Sequence, residues 1–417
     1  MKKRILKIVA VLLLVALAGF FLFGPAIAER SMNLVEETEL PEVSEEARAL
    51  HASLTIVDLH SDTLMWARDP LERAGRGHMD LPRLIDGNVA LQVFSSVTKS
   101  PAGLNFERNP ADARDNMTLM AIGQLQPYPT WGSLFERSRW HASRLQRAAN
   151  EAPDALRAIR TPGDIDTLIG ERNITGRPIG GLFSVEGLHN LQGREENLKR
   201  LYDDGMRMAG ITHFFDNELA GSMHGIEKGG LTPFGREMVA RMEDMGIIVD
   251  IAHCSHECVS EVLAMARRPV VFSHGGVQAT CATNRNLTDE EIRGVAATGG
   301  VIGVGYFDSA VCGTSPAAIV AAMRHVRDLV GIDHVAVGSD FDGSVTTPFD
   351  TAGLNHVTQA LIDDGWSEED IRKAMGLNAL RLIREGIMPA GSYVPVEGGR
   401  WRVDTTPLPP TLPGDAP

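Results

Sequence analysis

The sequence predicts an α/β fold: a parallel (β/α)8 TIM-type barrel with helical insertions. Three observations point there. Eight short apolar runs recur, at residues 54–60, 89–95, 179–186, 208–213, 247–253, 270–274, 300–306 and 335–340. Several are dense in Val and Ile with little polar alternation, the pattern of strands buried on both faces. Helix-length segments separate most of them, and strands alternating with helices build parallel sheets. An open doubly wound sheet would carry a Gly-rich phosphate turn after its first strand; this chain has His60-Ser61-Asp62-Thr63 there.

Taken in order, the chain opens on a basic cluster, Lys2, Lys3, Arg4 and Lys7, followed by an uncharged apolar run over residues 8–23 and by Ala26-Ile27-Ala28. Residues 1–28 read as an export signal or an N-terminal membrane anchor. The run is long for a cleaved leader and short for a spanning helix. Cleavage and retention both stay open, with retention the preferred reading. The chain is expected to be exported, either periplasmic or anchored to the membrane by this segment. Residues 29–52 read as an acidic linker leading into a short helix, with Glu36, Glu37, Glu39, Glu42, Glu45 and Glu46.

Residues 53–388 form the barrel domain. A first insertion, 96–178, is far longer than one crossover and carries helix-like stretches at 112–126 and 136–150. A second, 214–231, is Gly-rich and suited to covering a pocket. Thr232-Pro233 opens a helix with Met238, Met242 and Met245 at helical spacing. Ser255 caps the next helix. Thr288–Glu291 and Ser367–Asp370 read as capping boxes, and residues 317–330 form a further helix. Residues 389–417 turn Pro-rich and read as an extended tail.

The formal net charge is −14. Removing the four basic residues of the leader makes the exported part more acidic still. No basic stripe is present, so no nucleic-acid partner is expected. Cys254, Cys258, Cys281 and Cys312 are scattered in a chain with 43% hydrophobic residues, a full core that needs no disulfide. Cys254 and Cys258 read as buried free thiols.

The chemistry lies in what ends each strand. The first run ends in His60 and Asp62, the third in Glu186, the fourth in His213, the fifth in His253, the sixth in His274 and the eighth in Asp340. In a (β/α)8 barrel the C-terminal strand ends form one rim, and the rim carries the chemistry. Six strands thus aim metal-type ligands at one mouth. His60, Asp62, Glu186, His253 and His274 suffice for two ions with one carboxylate shared, a spacing at which two cations activate a common hydroxide. Imidazole and carboxylate without thiolate suit zinc, with manganese, cobalt and iron open. Asp340 suits proton transfer, and His213 suits donation to the oxyanion of a tetrahedral intermediate. Asp58, on the strand face of His60, reads as a structural partner. Asp342 reads as an orienting residue, and His189 and His224 as loop histidines.

Val57-Asp58-Leu59-His60-Ser61-Asp62, Ser184-Val185-Glu186-Gly187, Thr212-His213, Val249-Asp250-Ile251-Ala252-His253-Cys254-Ser255, Phe272-Ser273-His274 and Gly338-Ser339-Asp340-Phe341-Asp342-Gly343 together resemble the membrane dipeptidase family of the metal-dependent amidohydrolase superfamily. The resemblance runs in order from about residue 54 to about 386. It implies that His60 and Asp62 bind one zinc ion, that His253 and His274 bind the other, and that Glu186 and a hydroxide bridge them. It implies proton transfer by Asp340 and polarisation of the scissile carbonyl by His213. Cys281-Ala282-Thr283-Asn284-Arg285-Asn286 resembles the segment whose arginine, here Arg285, grips the C-terminal carboxylate of a dipeptide. By itself Arg285 would read as a surface or capping residue.

The resulting expectation is a binuclear zinc dipeptidase, with dipeptides as substrates and a D-residue tolerated at the C-terminal position. His213, Arg285 and Asp340 are its substrate-binding residues. A homodimer stays open. The alternatives are another amidohydrolase, of lactonase or phosphotriesterase type, and a non-catalytic envelope binding protein on the same barrel. The first would show His-x-His on its first strand, and the second would have lost a ligand.

Overall fold

The computed structural model describes residues 2–36, 39–388, 393–396 and 400–403. All eight expected strands form: β1 (Ile56–Asp58), β2 (Val89–Phe94), β3 (Ile179–Glu186), β4 (Met206–Gly210), β5 (Ile248–Asp250), β6 (Val271–Phe272), β7 (Val301–Val304) and β8 (Val335–Val337). They pair in parallel in the order β2-β1-β8-β7-β6-β5-β4-β3, and β2 pairs with β3 to close the ring, Leu91 opposite Gly180 and Phe94 opposite Phe183. The chain is a (β/α)8 barrel. Most strands stop short of the apolar runs, whose last residues leave the ladder as loops.

Side chains alternate across each strand. Val335 and Val337 join the core between strands and helices, whereas Ala336 joins the barrel interior with Val57, Leu91, Met208, Val271 and Val301. The helix Asn378–Gly386 adds Leu382 and Ile383 to that interior core, and Asn378 donates to the Val335 carbonyl at 2.8 Å. This plugs the N-terminal end of the barrel. Burying each such side chain contributes about 1.5–3 kcal/mol. Gly303 and Gly338 keep the wall tight near the mouth: a Cβ on either would lie 2.1 or 1.8 Å from the Ser273 carbonyl oxygen.

The caps act largely as the sequence implies. Thr232 accepts from the Gly235 N–H and Ser255 from the Cys258 N–H, both at 3.0 Å, and Thr288 and Glu291 complete a capping box. Ser367 accepts from the Asp370 N–H, and that cap stays one-sided. The first insertion holds the helices Met117–Gly123 and Leu134–Glu151. It also holds a strand, Leu156–Ile159, and a helix, Pro162–Thr175, whose weakly amphipathic sequences gave no periodic signal.

Three expectations need correction. Cys281 and Cys312 form a disulfide with Cα atoms 5.2 Å apart. The loops after β6 and β7 bring them together, a proximity that spacing along the chain does not reveal. Cys254 and Cys258 are free and buried as expected. The apolar leader continues as one helix, Lys2–Met32, into the residues read as linker. Glu29 and Asn33 are buried there, and Leu34–Val35 pairs in parallel with Thr346–Thr347. Of the tail expected at 389–417, Tyr393–Val396 and Arg400–Val403 form an antiparallel pair, and the remainder lies outside the described residues.

Candidate metal centre

The mouth is built on two matching crosslinks between neighbouring strand ends. Asp58 at the end of β1 accepts from the Ser339 N–H at 2.9 Å and from its hydroxyl at 2.5 Å, just beyond β8. Asp250 at the end of β5 accepts from the Ser273 N–H at 3.0 Å and from its hydroxyl at 2.5 Å, just beyond β6. Each serine precedes a site residue, Asp340 or His274. Ser273 spends its proton on Asp250, so its oxygen accepts the Nδ1–H of His274 at 2.8 Å. That leaves the His274 Nε2 lone pair free for a cation, the usual way a carboxylate sets the tautomer of a ligating histidine.

The expected residues meet around Glu186. Its Oε1 lies 2.9 Å from His253 Nε2, 3.3 Å from His274 Nε2 and 3.5 Å from His213 Nε2. Its Oε2 lies 3.7 Å from His60 Nε2, which is 3.6 Å from Asp62 and 3.8 Å from Asp340. The two oxygens of one carboxylate therefore face two different groups of ligands. Ligand atoms of His60, Asp62 and Glu186, of Glu186, His213 and His253, and of His60, Asp250 and His274 form three groups compact enough to hold a cation.

The donors also lack other partners. His60 Nε2, Asp62 Oδ1 and Glu186 Oε2 are buried without a hydrogen bond, which is costly for polar groups unless something binds them. His253 Nε2 and His274 Nε2 stand 3.1 Å apart, so two lone pairs face each other unless a proton or a cation lies between. The donor set fits a divalent metal of the zinc class.

Burial pushes the imidazoles of His213, His253 and His274 well below their ordinary pKa, which favours the neutral, ligating form. Burial also opposes charge on His60, but the Glu186 and Asp62 carboxylates outweigh it and hold this histidine above its usual value. Glu186 is pushed up to about 6, first by burial and then by Asp62. Burial holds Asp340 well above the carboxylate range. His253 and Asp340 have backbone φ of 65° and 62°, left-handed conformations unusual outside glycine and concentrated at functional sites.

A cavity of about 450 Å³ opens over these groups, lined by Asp62, Glu186, His213, His253, Arg285 and Asp340. Its far wall is apolar, with Met65, Trp66, Met117, Met120 and Phe214. Arg285 is buried: Nη2 donates to the His274 carbonyl at 2.7 Å, and Nη1 has no partner. Burial lowers this guanidinium to about 10, still cationic at neutral pH.

Asp342 does not reach the metal donors. It accepts from Thr63 Oγ1 and the His78 N–H at 2.6 Å each and pairs with Arg68, which locks the loop after β8. His189 bonds Thr98 at 2.8 Å, and His224 stacks on Phe214 with centroids 4.5 Å apart. A larger cavity of about 680 Å³ at the opposite barrel end, lined by Pro269, Gly299, His334 and Arg381, holds none of the three metal-type groups.

Sequence reading missed Asp250, Ser273 and Ser339 as supports. The signal was present: Asp-x-His after β1 has a counterpart in Asp250-Ile251-Ala252-His253, and Ser stands before both His274 and Asp340. It also missed Met65, Trp66, Met117 and Met120, whose segments carry no motif.

The model of the family described as Membrane dipeptidase (Peptidase family M19) matches residues 44–388. The chain belongs to that family. Among curated proteins, this family member is 28% identical to "Dipeptidase aclJ" of Aspergillus oryzae, over 79% of this chain and 77% of that protein. It is 29% identical to "Dipeptidase tcpJ" of Claviceps purpurea, over 74% and 69%. Among solved structures it resembles the probable dipeptidase PvdM from Pseudomonas aeruginosa, with a TM-score of 0.68 at 21% identity over 82% of this chain and 98% of that one. It also resembles a metallo peptidase from Rhodobacter sphaeroides liganded with a phosphinate mimic of the dipeptide L-Ala-D-Ala. That match has a TM-score of 0.66 at 22% identity over 80% and 99%. The residues gathered at the mouth are thus the candidate metal site of a metallo-dipeptidase.

Proposed function

We propose that this protein hydrolyses the peptide bond of dipeptides with a pair of zinc ions. The observation that carries the reading is Glu186, whose two buried oxygens face different ligand groups, with His253 and His274 on one side and His60 on the other. In this reading His60 and Asp62 hold one ion, His253 and His274 the other, and Glu186 both. Bound zinc supplies Lewis acidity and lowers the pKa of the attacking water.

The remaining work falls to the protein. Arg285, with a free Nη1 at the cavity wall, pairs with the substrate's C-terminal carboxylate. His213 lines the same cavity and donates to the carbonyl oxygen as negative charge develops there. Asp340 takes the proton of the attacking water and passes it to the leaving amine. The burial that raises its pKa suits it to carry that proton. The apolar wall of Met65, Trp66, Met117 and Met120 favours substrates with an uncharged side chain. A D-residue at the C-terminal position is expected to be accepted, as the L-Ala-D-Ala mimic bound by the Rhodobacter sphaeroides relative suggests. Family membership weighs against a lactonase or phosphotriesterase, and the full donor set weighs against a non-catalytic binding protein.

The test is turnover of a panel of L-X-L-Y and L-X-D-Y dipeptides by protein stripped with a chelator and reloaded with zinc. Activity should return as zinc approaches two per chain. A chain carrying two zinc ions that cleaves no dipeptide would overturn the proposal.

A further inference from the structure

The N-terminal helix is docked onto the barrel, and the way it docks fixes more than attachment. Residues 2–18 are exposed, and the helix has a window of mean hydropathy 2.8 with none of it buried. Ile5, Leu6, Leu12, Leu13, Leu14 and Leu22 are all more than half exposed. An apolar surface of this size needs a cover.

From Gly24 onward the helix becomes partly buried. Glu29 is 1% exposed and is held by Arg68 at 2.5 Å and Arg76 at 2.6 Å. Arg68 is itself paired to Asp342, behind the catalytic loop. One helical turn later the clamp is reinforced: Asn33 accepts from the Ser344 N–H at 2.9 Å, and Leu34–Val35 pairs with Thr346–Thr347. Met32, the last residue of the helix, lines the substrate cavity beside Met117 and Met120. The Ala26-Ile27-Ala28 motif lies inside the helix.

The helix and the first insertion share an order. Met32 shares a cavity wall with Met117 and Met120, and farther out Phe20 and Pro25 come within 3.1 and 3.4 Å of a Cβ placed on Gly123. Continuing outward, the insertion presents Leu125 and Tyr128, 68% and 79% exposed, and Leu119 is 56% exposed. These apolar side chains lie on the side where the helix leaves the barrel. The part of the helix before that docked end, residues 5–23, is about 28 Å long at the helical rise, close to the thickness of a bilayer's hydrocarbon core, and the Lys7 stem can snorkel to its edge. Lys2, Lys3, Arg4 and Lys7 stand at its far end.

We propose that the protein retains this helix as a bilayer anchor whose docked end holds the barrel in one orientation, with Leu119, Leu125 and Tyr128 against the lipid surface and the substrate cavity opening beside it. The occupant of the exposed helix face is lipid, because that face is apolar all round, long enough to span, and ended by cations. The contact of the barrel with lipid is apolar rather than electrostatic, since the acidic chain is repelled by anionic headgroups. Tyr128 suits the interface, where an aromatic ring has an apolar body and a polar tip. The inference rests on the docking geometry and the apolar surface of the helix, and is independent of the reaction catalysed at the mouth.

The full-length chain, reconstituted in vesicles of phosphatidylethanolamine and phosphatidylglycerol, tests it. Leu125→Cys and Ile174→Cys each provide one labelling position. Ile174 is 86% exposed on the helix that precedes β3, at the opposite barrel end, and Cys254 and Cys258 are buried. With a fluorophore on each and brominated lipids as quencher, position 125 should be quenched severalfold more than position 174. The intact mass of chain extracted from cell membranes should include residues 1–28. Equal quenching at the two positions overturns the fixed orientation, and a membrane-extracted chain that begins at Glu29 overturns retention. An unquenched position 125 in a chain that is dimeric in detergent assigns the helix face to a second copy and overturns the proposal too.

Discussion

Ser273 joins Asp250 to His274: its hydroxyl donates to the Asp250 carboxylate at 2.5 Å and accepts the His274 Nδ1–H at 2.8 Å. One side chain thus ties two neighbouring strand ends and sets which nitrogen of His274 is free. Ser273→Ala should leave an Asp250 oxygen unpaired and His274 free to turn. Metal affinity should fall about 10–100-fold, measured by competition with a chelator. An unchanged affinity would make the serine a packing residue only.

Glu186 reaches both histidine groups, His253 with one carboxylate oxygen and His60 with the other. Glu186→Gln keeps the shape but replaces one oxygen by an amide that does not ligate. Bound metal, measured by elemental analysis, should fall below two per chain, and kcat should drop by about three orders of magnitude or more. Full metal content with near-normal kcat would remove Glu186 from the centre of the mechanism.

Arg285 should separate binding from chemistry. Arg285→Ala is expected to raise KM about 10–100-fold, the loss of a charge-assisted pair, with a smaller effect on kcat. A dipeptide whose C-terminus is amidated gives the matching control. Wild-type enzyme should lose about as much on the amide as the variant loses on the free acid, and the variant should barely distinguish the two.

The Cys281–Cys312 disulfide closes a loop of 31 residues that contains Arg285. Cys281→Ser with Cys312→Ser should cost about 3–4 kcal/mol by loop-closure entropy, read from urea denaturation. KM should rise with it, because the clamp segment then hangs from one side. A rise in KM without loss of stability would point to local loosening instead.

His51 offers a pH dependence away from the metal centre. It bonds Thr358 Oγ1 at 2.8 Å and the Gly87 carbonyl at 3.2 Å, and burial lowers it to about 4. Between pH 4 and the ordinary value near 6.5 the unfolded chain binds this proton and the folded chain does not. Stability therefore falls as pH drops through that window and is fully present above it. His51→Gln should flatten the stability profile there by about 2–3 kcal/mol, measured as the difference between the two proteins in urea titrations from pH 4 to pH 7. Parallel profiles would show that His51 is protonated in the fold.

What the sequence determined by itself is the barrel and the identity of its rim. Short Val- and Ile-rich runs predict buried parallel strands by local composition, and a parallel barrel places every strand's C-terminal end at one mouth. His60, Asp62, Glu186, His213, His253, His274 and Asp340 could therefore be assigned to a common site without any distance being known. Caps such as Thr232 and Thr288 were legible for the same reason, since both partners lie within three residues. The tertiary structure alone decided which oxygen of Glu186 faces which histidine, how Ser273 and Ser339 brace the rim, and that Cys281 meets Cys312. It also decided that the end of the N-terminal helix clamps onto Arg68 and sends Met32 into the cavity wall. These contacts join residues tens to hundreds of positions apart. No local periodicity encodes them, because their energies exist only once the ring has closed.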